Sequence, residues 1–172
     1  MKKIVKTVKT VFQSGEFVVY PAHGVGHISS IESHDIAGES LDMFVIKFDE
    51  ERMILRLPVS KALNLGLRSL SSKKEMDSAL KTLRTQGKTR RTMWSRRAQE
   101  YENKINSGNP GSVAEVVRDL HRSEDQAEQS YSERQLYQAA LTRLSKELAA
   151  IEVTTSEQAS IKIEKALKKK II

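Results

Sequence analysis

The densest chemistry in the 172-residue chain lies in Lys88-Thr89-Arg90-Arg91-Thr92-Met93-Trp94-Ser95-Arg96-Arg97. The chain's one tryptophan stands there between two arginine pairs, with hydroxyls at Thr89, Thr92 and Ser95. The planar arginine fork pairs with phosphate oxygens, and hydroxyls donate to the same oxygens. An aromatic ring among such groups stacks on a base or wedges a base step from the minor groove. The spacing has a plainer reading too: Trp94, Ala98, Tyr101 and Ile105 share one helical face, so Trp94 equally starts a buried stripe. DNA binding by the arginines does not depend on that choice. Lys88, Arg90, Arg91, Trp94, Arg96 and Arg97 are thus nominated as a nucleic-acid contact.

Other chemistry is thin. The four histidines are His23, His27, His34 and His121, and none stands beside a serine or aspartate in a catalytic motif. His23 and His27 flank a glycine bend without cysteine or an evident carboxylate partner, so a structural or surface role is expected rather than a zinc site. With no cysteine in the chain, disulfides, thiolate metal sites and cysteine nucleophiles are excluded. Asp49-Glu50-Glu51 lies between two strand patterns and reads as a hairpin turn rather than a metal cluster. Gly24-Val25-Gly26 is not followed by a helix pattern, and no phosphate-cradling Gly-x-x-x-x-Gly-Lys-Ser/Thr occurs. The expectation is a protein that is not an enzyme, with no catalytic residue, metal or cofactor.

The distribution of charge sharpens the picture. The chain carries 29 Lys and Arg against 22 Asp and Glu, a net +7. Residues 1–70 hold nine basic and eight acidic side chains, residues 71–110 ten and four, and residues 111–172 ten of each. Nearly all the excess lies in one quarter of the chain, and positions 81–97 contain seven basic residues and no acid. Solvated helix faces normally interleave both signs, so a patch of this kind points to a polyanion. No apolar run approaches 18 residues, and no apolar segment follows Met1-Lys2-Lys3. The expected location is therefore cytoplasmic, on the nucleoid, away from membranes.

Two kinds of element must position these groups. From Phe17 to Leu57 the texture is that of short strands. Phe17–Tyr20 ends at Pro21, His23–Ile28 resumes with bend-forming glycines, and the stretch to Ile36 closes at Ala37-Gly38-Glu39. Met43–Phe48 and Met53–Leu57 follow, with Phe44, Ile46 and Phe48 on one face and Met53, Leu55 and Leu57 on another. Four or five strands over some 55 residues suit a small bent antiparallel barrel. Beyond Pro58 the period turns helical. Capping boxes are read at Ser72–Glu75, Ser112–Glu115, Ser130–Glu133 and Thr154–Glu157. A second helix runs through Trp94 and Ile105. The longest carries Tyr137, Leu141, Leu144, Leu148 and Ile151 as a bundle seam. The expected organisation is a loose arm over residues 1–14, a β module over 15–70 and a helical domain over 71–172, packed together.

Several blocks carry a family resemblance. Gly15-Glu-Phe-Val-Val-Tyr-Pro-Ala-His-Gly-Val-Gly26 resembles the opening of the RNA polymerase-interacting module of CarD-like transcription regulators. The similarity continues in Leu55-Arg-Leu-Pro-Val-Ser60, Trp94-Ser-Arg-Arg97, Ser107-Gly, Ala114-Glu-Val-Val-Arg-Asp-Leu120, Ser130-Tyr-Ser-Glu-Arg134 and Glu147-Leu-Ala-Ala150. The opening block alone also resembles the polymerase-binding module of transcription-repair coupling factors, but nothing here resembles their ATP-driven motor.

The resemblance implies an α+β chain, with a small Tudor-like antiparallel β-barrel followed by an all-α domain. It implies that the barrel docks on the β subunit of bacterial RNA polymerase through Arg56 and its neighbours His34, Ile36 and Pro58. It further implies that the helical domain lies against promoter DNA, with Trp94 inserted in the minor groove at the upstream edge of the bubble and Arg96 on the backbone. The implied outcome is a more stable open promoter complex, with a monomer acting on the polymerase. His34 stands where some relatives carry another basic contact, and Gln99 where some place a lysine near a phosphate. The alternatives are an architectural DNA-binding protein acting without polymerase, a peptide-reading Tudor-like adaptor, and, more distantly, a nuclease. The adaptor would need an aromatic cage from Phe17, Tyr20, Phe44 and Phe48, three of which read as core.

Overall fold

The protein is described by a computed structural model covering residues 12–48, 51–87 and 91–169. Among these residues, five strands form one antiparallel sheet: β1 (Phe17–Tyr20), β2 (Gly24–Ile36), β3 (Glu39–Phe48), β4 (Met53–Pro58) and β5 (Arg68–Ser69), in the order β4-β3-β2-β1-β5. The chain is thus α+β, a Tudor-like module followed by a helical part.

The sheet closes around its own apolar face. Ile28 pairs with Ile46, and Ile46 with Leu55; Phe44 pairs with Leu57 and Phe48 with Met53. Cross-strand partners share a face, so Ile28, Phe44, Ile46, Phe48 and Leu57 converge on one core with Val18 and Leu67. The sharp bend that this needs falls in β2. A Cβ at Gly26 would lie 2.9 Å from both Ile46 Cγ2 and Phe48 Cε1, so only glycine lets the strands close there. The β2–β3 hairpin turns on Ala37 and Gly38, both at positive φ (52° and 81°), the geometry that a two-residue hairpin favours.

Two features depart from the sequence reading. Phe12, assigned to a loose arm, is 2% exposed and packs edge-on to Phe44 with ring centroids 5.9 Å apart. A lone aromatic gives no periodic signal, so its place in the core was not legible. The strand β5, two residues long, pairs with Val18 and Val19 of β1 and was equally silent in sequence. The Asp49-Glu50 part of the acidic turn lies outside the described residues, but Phe48 pairs with Met53, so the strands on either side form a hairpin.

Five helices follow among the described residues: α1 (Lys73–Thr82), α2 (Trp94–Asn106), α3 (Pro110–Leu120), α4 (Tyr131–Glu152) and α5 (Ser156–Lys168). Met76, Leu80, Leu83, Tyr101, Ile105, Val117, Leu120, Leu144, Leu148, Ile163 and Leu167 belong to their shared core. The capping boxes require correction. Ser72 and Glu75 form the full reciprocal box. Ser130 Oγ accepts from Glu133 N–H at 3.3 Å, but the Glu133 carboxylate meets Arg122 rather than returning to the cap. Ser112 caps nothing: the cap lies three residues earlier, where Asn109 Oδ1 accepts from Gly111 and Ser112 N–H and Pro110 occupies the first turn. Glu115 instead meets Lys104 Nζ at 2.7 Å. At α5 the cap is Thr155, not Thr154; α4 ends just before, at Val153 in the left-handed conformation (φ 55°).

The helix α4 joins the two halves. Its seam residues Leu141, Leu144 and Leu148 are buried in the bundle, with Tyr137 and Ile151 partly buried against it. Its other side meets the sheet. Arg143 donates to Pro21 O at 2.8 Å and to Ala22 O at 2.5 Å. Glu147 takes a two-point bond from Arg68, Nη1–Oε1 2.8 Å and Nη2–Oε2 3.0 Å, and a third from Ser71 N–H at 2.9 Å. Arg68 also donates to Gly108 O, so β5, the entry to α1, the α2–α3 turn and α4 meet at one ion pair.

One side chain gives this bundle a pH dependence. Tyr137 Oη and His121 Nδ1 are hydrogen-bonded at 3.2 Å, and burial, reinforced by the Glu164 charge, pushes the phenol up to about 12. The unfolded chain releases that proton near pH 10, so between about pH 10 and about 12 the unfolded state binds fewer protons and gains relative to the folded one. Stability is therefore expected to fall over that window. Urea titrations at increasing alkaline pH should show a steeper decline for the wild type than for Tyr137→Phe, since the lysines titrate in both. Parallel declines would contradict it.

Candidate functional site

The basic segment and the bundle meet at Trp94. The helix α2 begins at that residue, behind an N-cap, Met93, whose side chain makes no capping bond, and its first turn contains no acid. Thr92, Met93, Ser95 and Arg96 are exposed, as is Arg91. Lys88 and Arg90 lie outside the described residues. Trp94 itself is half-buried at the rim of the helical core. The stripe read from sequence is therefore graded: Tyr101 and Ile105 are buried, while Ala98 and Trp94 are partly open. The two readings of Trp94 are compatible, because the ring closes the end of the core and still reaches the surface.

Its surroundings hold the ring on three sides. The indole Nε1–H donates to Ser132 Oγ at 2.7 Å. Tyr101 lies against it with centroids 6.3 Å apart and planes at 49°. The Arg97 guanidinium sits 5.5 Å from the Trp94 ring centre and 5.9 Å from that of Tyr101, within cation–π range of both. Arg97 Nε is buried without a hydrogen-bond partner among the described residues. Arg97 is thus folded onto the aromatic pair, whereas Arg91 and Arg96 extend into solvent. The spacing of Arg97 from Trp94 and Tyr101, three and four residues, was readable as one helical face; the contact from Ser132, on another helix, was not.

The second group of nominated residues lies on the sheet. Strand register brings them together: His34 pairs with Leu41, Glu32 with Met43, Met43 with Pro58, and Val45 with Arg56. With the period of two, His34, Ile36, Arg56 and Pro58 share the face opposite the barrel core. Ile36 is half exposed and Arg56 exposed. Between them stands Glu32, which the sequence reading did not single out. Its Oε2 accepts from His34 Nε2 at 2.9 Å and lies 3.6 Å from Arg56 Nε. The His34 bond holds this carboxyl below its ordinary range against the opposing effect of burial, and the Arg56 charge adds to the lowering. The available signal was the alternation Glu32, His34, Ile36 on one strand face.

His23 stacks on Tyr20 at 5.8 Å and approaches Glu51 at 3.5 Å. Among the described residues, no group of three His, Asp or Glu side chains is placed to hold a metal ion. Nor is any helix there long and apolar enough to cross a membrane.

The protein is a small Tudor-like antiparallel β module with a mixed polar and apolar outer face, joined through α4 to a helical bundle with a basic, aromatic corner. Comparison with known proteins gives the class its family. Residues 12–71 match the CarD-like/TRCF RID domain and residues 78–164 the CarD C-terminal domain. The chain is also 30% identical over 148 residues to the putative transcription factor YdeB of Bacillus subtilis (strain 168), covering 86% of this chain and 97% of that protein. The chain belongs to the CarD-like family of transcription factors, which is not a family of enzymes.

Proposed function

We propose that the protein docks on the β subunit of bacterial RNA polymerase through the outer face of β2, β3 and β4, and stabilises the open promoter complex by wedging Trp94 into the minor groove at the upstream edge of the bubble. The observation that carries this reading is the state of Trp94: half-buried, at the first position of a helix, among exposed arginines and without a nearby acid in its turn. A ring held in that way reaches a nucleic acid without unfolding the bundle. Arg96 and Arg91 serve the phosphates, and the uncapped first turn of α2 favours negative charge.

The mechanism is tethered wedging. Docking of residues 15–70 raises the effective concentration of a weak DNA-binding patch at one promoter position. The patch binds the distorted fork better than intact duplex and shifts the closed–open equilibrium by that difference. No sequence-reading helix is required, because the polymerase supplies the address, in the cytoplasm and on the nucleoid. A monomer suffices.

Capture of purified RNA polymerase on the immobilised protein tests the docking. Arg56→Glu replaces the exposed cation by an acid beside Glu32, so it removes the positive contact and adds local repulsion. Capture is expected to weaken at least about tenfold, with affinity for free DNA unchanged. Failure of the wild type to retain the β subunit would favour an architectural protein that acts on DNA alone.

A further inference from the structure

The block Ser130-Tyr-Ser-Glu133 holds two serines, and helix capping uses only one. Ser130 caps α4. Ser132, the second residue of the same helix and exposed, receives the indole N–H of Trp94 at 2.7 Å across 38 residues of sequence. We propose that Ser132 is a positioning residue for the wedge: it fixes which edge of the Trp94 ring faces the bundle and so which edge is offered to DNA. The inference rests on the wedge reading and assigns to that site a residue outside the basic segment.

An indole nitrogen donates and cannot accept, so its single N–H sets the ring's preferred rotation about the Cβ–Cγ bond. Arg97 and Tyr101 press on the ring but do not distinguish one edge from the other. The bond to Ser132 does. It turns the nitrogen edge toward the start of α4, and the hydrocarbon edge of the six-membered ring lies on the other side of the indole. That is the edge suited to enter between apolar base faces, where an unpaired N–H would lose its partner. Without Ser132 the ring samples further rotamers, and ordering it on insertion costs affinity.

Because Trp94 is the chain's only tryptophan, its fluorescence reports this contact directly. Ser132→Ala, an exposed substitution outside the cap, should leave far-ultraviolet circular dichroism unchanged while altering the emission maximum and increasing acrylamide quenching. Ser132→Thr keeps the hydroxyl and should restore both. Open-complex lifetime under competitor challenge should fall about two- to tenfold in Ser132→Ala, the size of one neutral hydrogen bond, and recover in Ser132→Thr. In a Trp94→Phe background, which lacks the N–H, Ser132→Ala should have little further effect. Wild-type fluorescence and lifetime in Ser132→Ala, or an equal loss in both backgrounds, would overturn the positioning role alone. An unchanged lifetime in Trp94→Ala would instead bring down the wedge reading, and the role of Ser132 within it.

Discussion

Glu147→Ala is expected to destabilise the protein by about 3 kcal/mol, seen as a shift of the urea midpoint. Glu147 is 5% exposed, and it accepts three bonds, two from Arg68 and one from Ser71 N–H. Removing one member of a buried pair leaves the other charge in a site built for its partner, which costs about 3–5 kcal/mol. The low end applies because the Arg68 side chain is 31% exposed and keeps the carbonyl of Gly108. The buried Ser71 N–H has no such replacement. Glu147→Gln keeps the one oxygen that accepts from both Ser71 N–H and Arg68 Nη1 but sets its NH2 against Arg68 Nη2, so about 2 kcal/mol is expected. A loss below about 1 kcal/mol for the alanine variant would mean that the pair is no more than a surface bridge. Under the proposed mechanism the variant has a second consequence. The contact joins the polymerase-facing sheet to the bundle that carries Trp94, so its loss should also weaken the tether's aim.

How legible was this arrangement in sequence? The strands were, because alternation from Phe44 to Phe48 and from Met53 to Leu57 has only one pleated solution. Register was not: that Arg56 and His34 share a face follows from pairings across β3, which no single strand encodes. At the helix starts the outcome depended on local competition. Asn109-Pro110 outranked Ser112 because proline fits the first turn and asparagine bonds two backbone N–H groups at once. Thr154 and Thr155 each stand three residues before a Glu or Gln, so the sequence offers two caps one residue apart, and the structure uses Thr155. The seam of α4 was readable, but its second working side was not. An acid between Leu144 and Leu148 is the one hint, since a glutamate within an apolar seam must have a partner somewhere. The basic corner was legible in kind, while the bonds from Ser132 and the folding of Arg97 onto two rings depend on helices that meet only in three dimensions.

Trp94→Ala is expected to shorten the lifetime of the open promoter complex by on the order of ten- to hundredfold, the worth of one stacked base–aromatic contact of about 1–3 kcal/mol. Capture of the polymerase should stay at the wild-type level, because the ring lies in the bundle and the docking face on the barrel. The comparison has one complication, and salt resolves it. Removing the indole also removes the ring on which the Arg97 guanidinium rests, 5.5 Å away, so the alanine variant changes a charge's position as well as a stacking surface. Phosphate contacts weaken steeply as salt rises, whereas base stacking involves no counterion release. Both lifetimes should therefore shorten with salt while their ratio stays nearly constant. A ratio that falls toward one at high salt would mean that Trp94 acts by placing arginines on the backbone. A constant ratio identifies the ring itself as the part that holds the fork open.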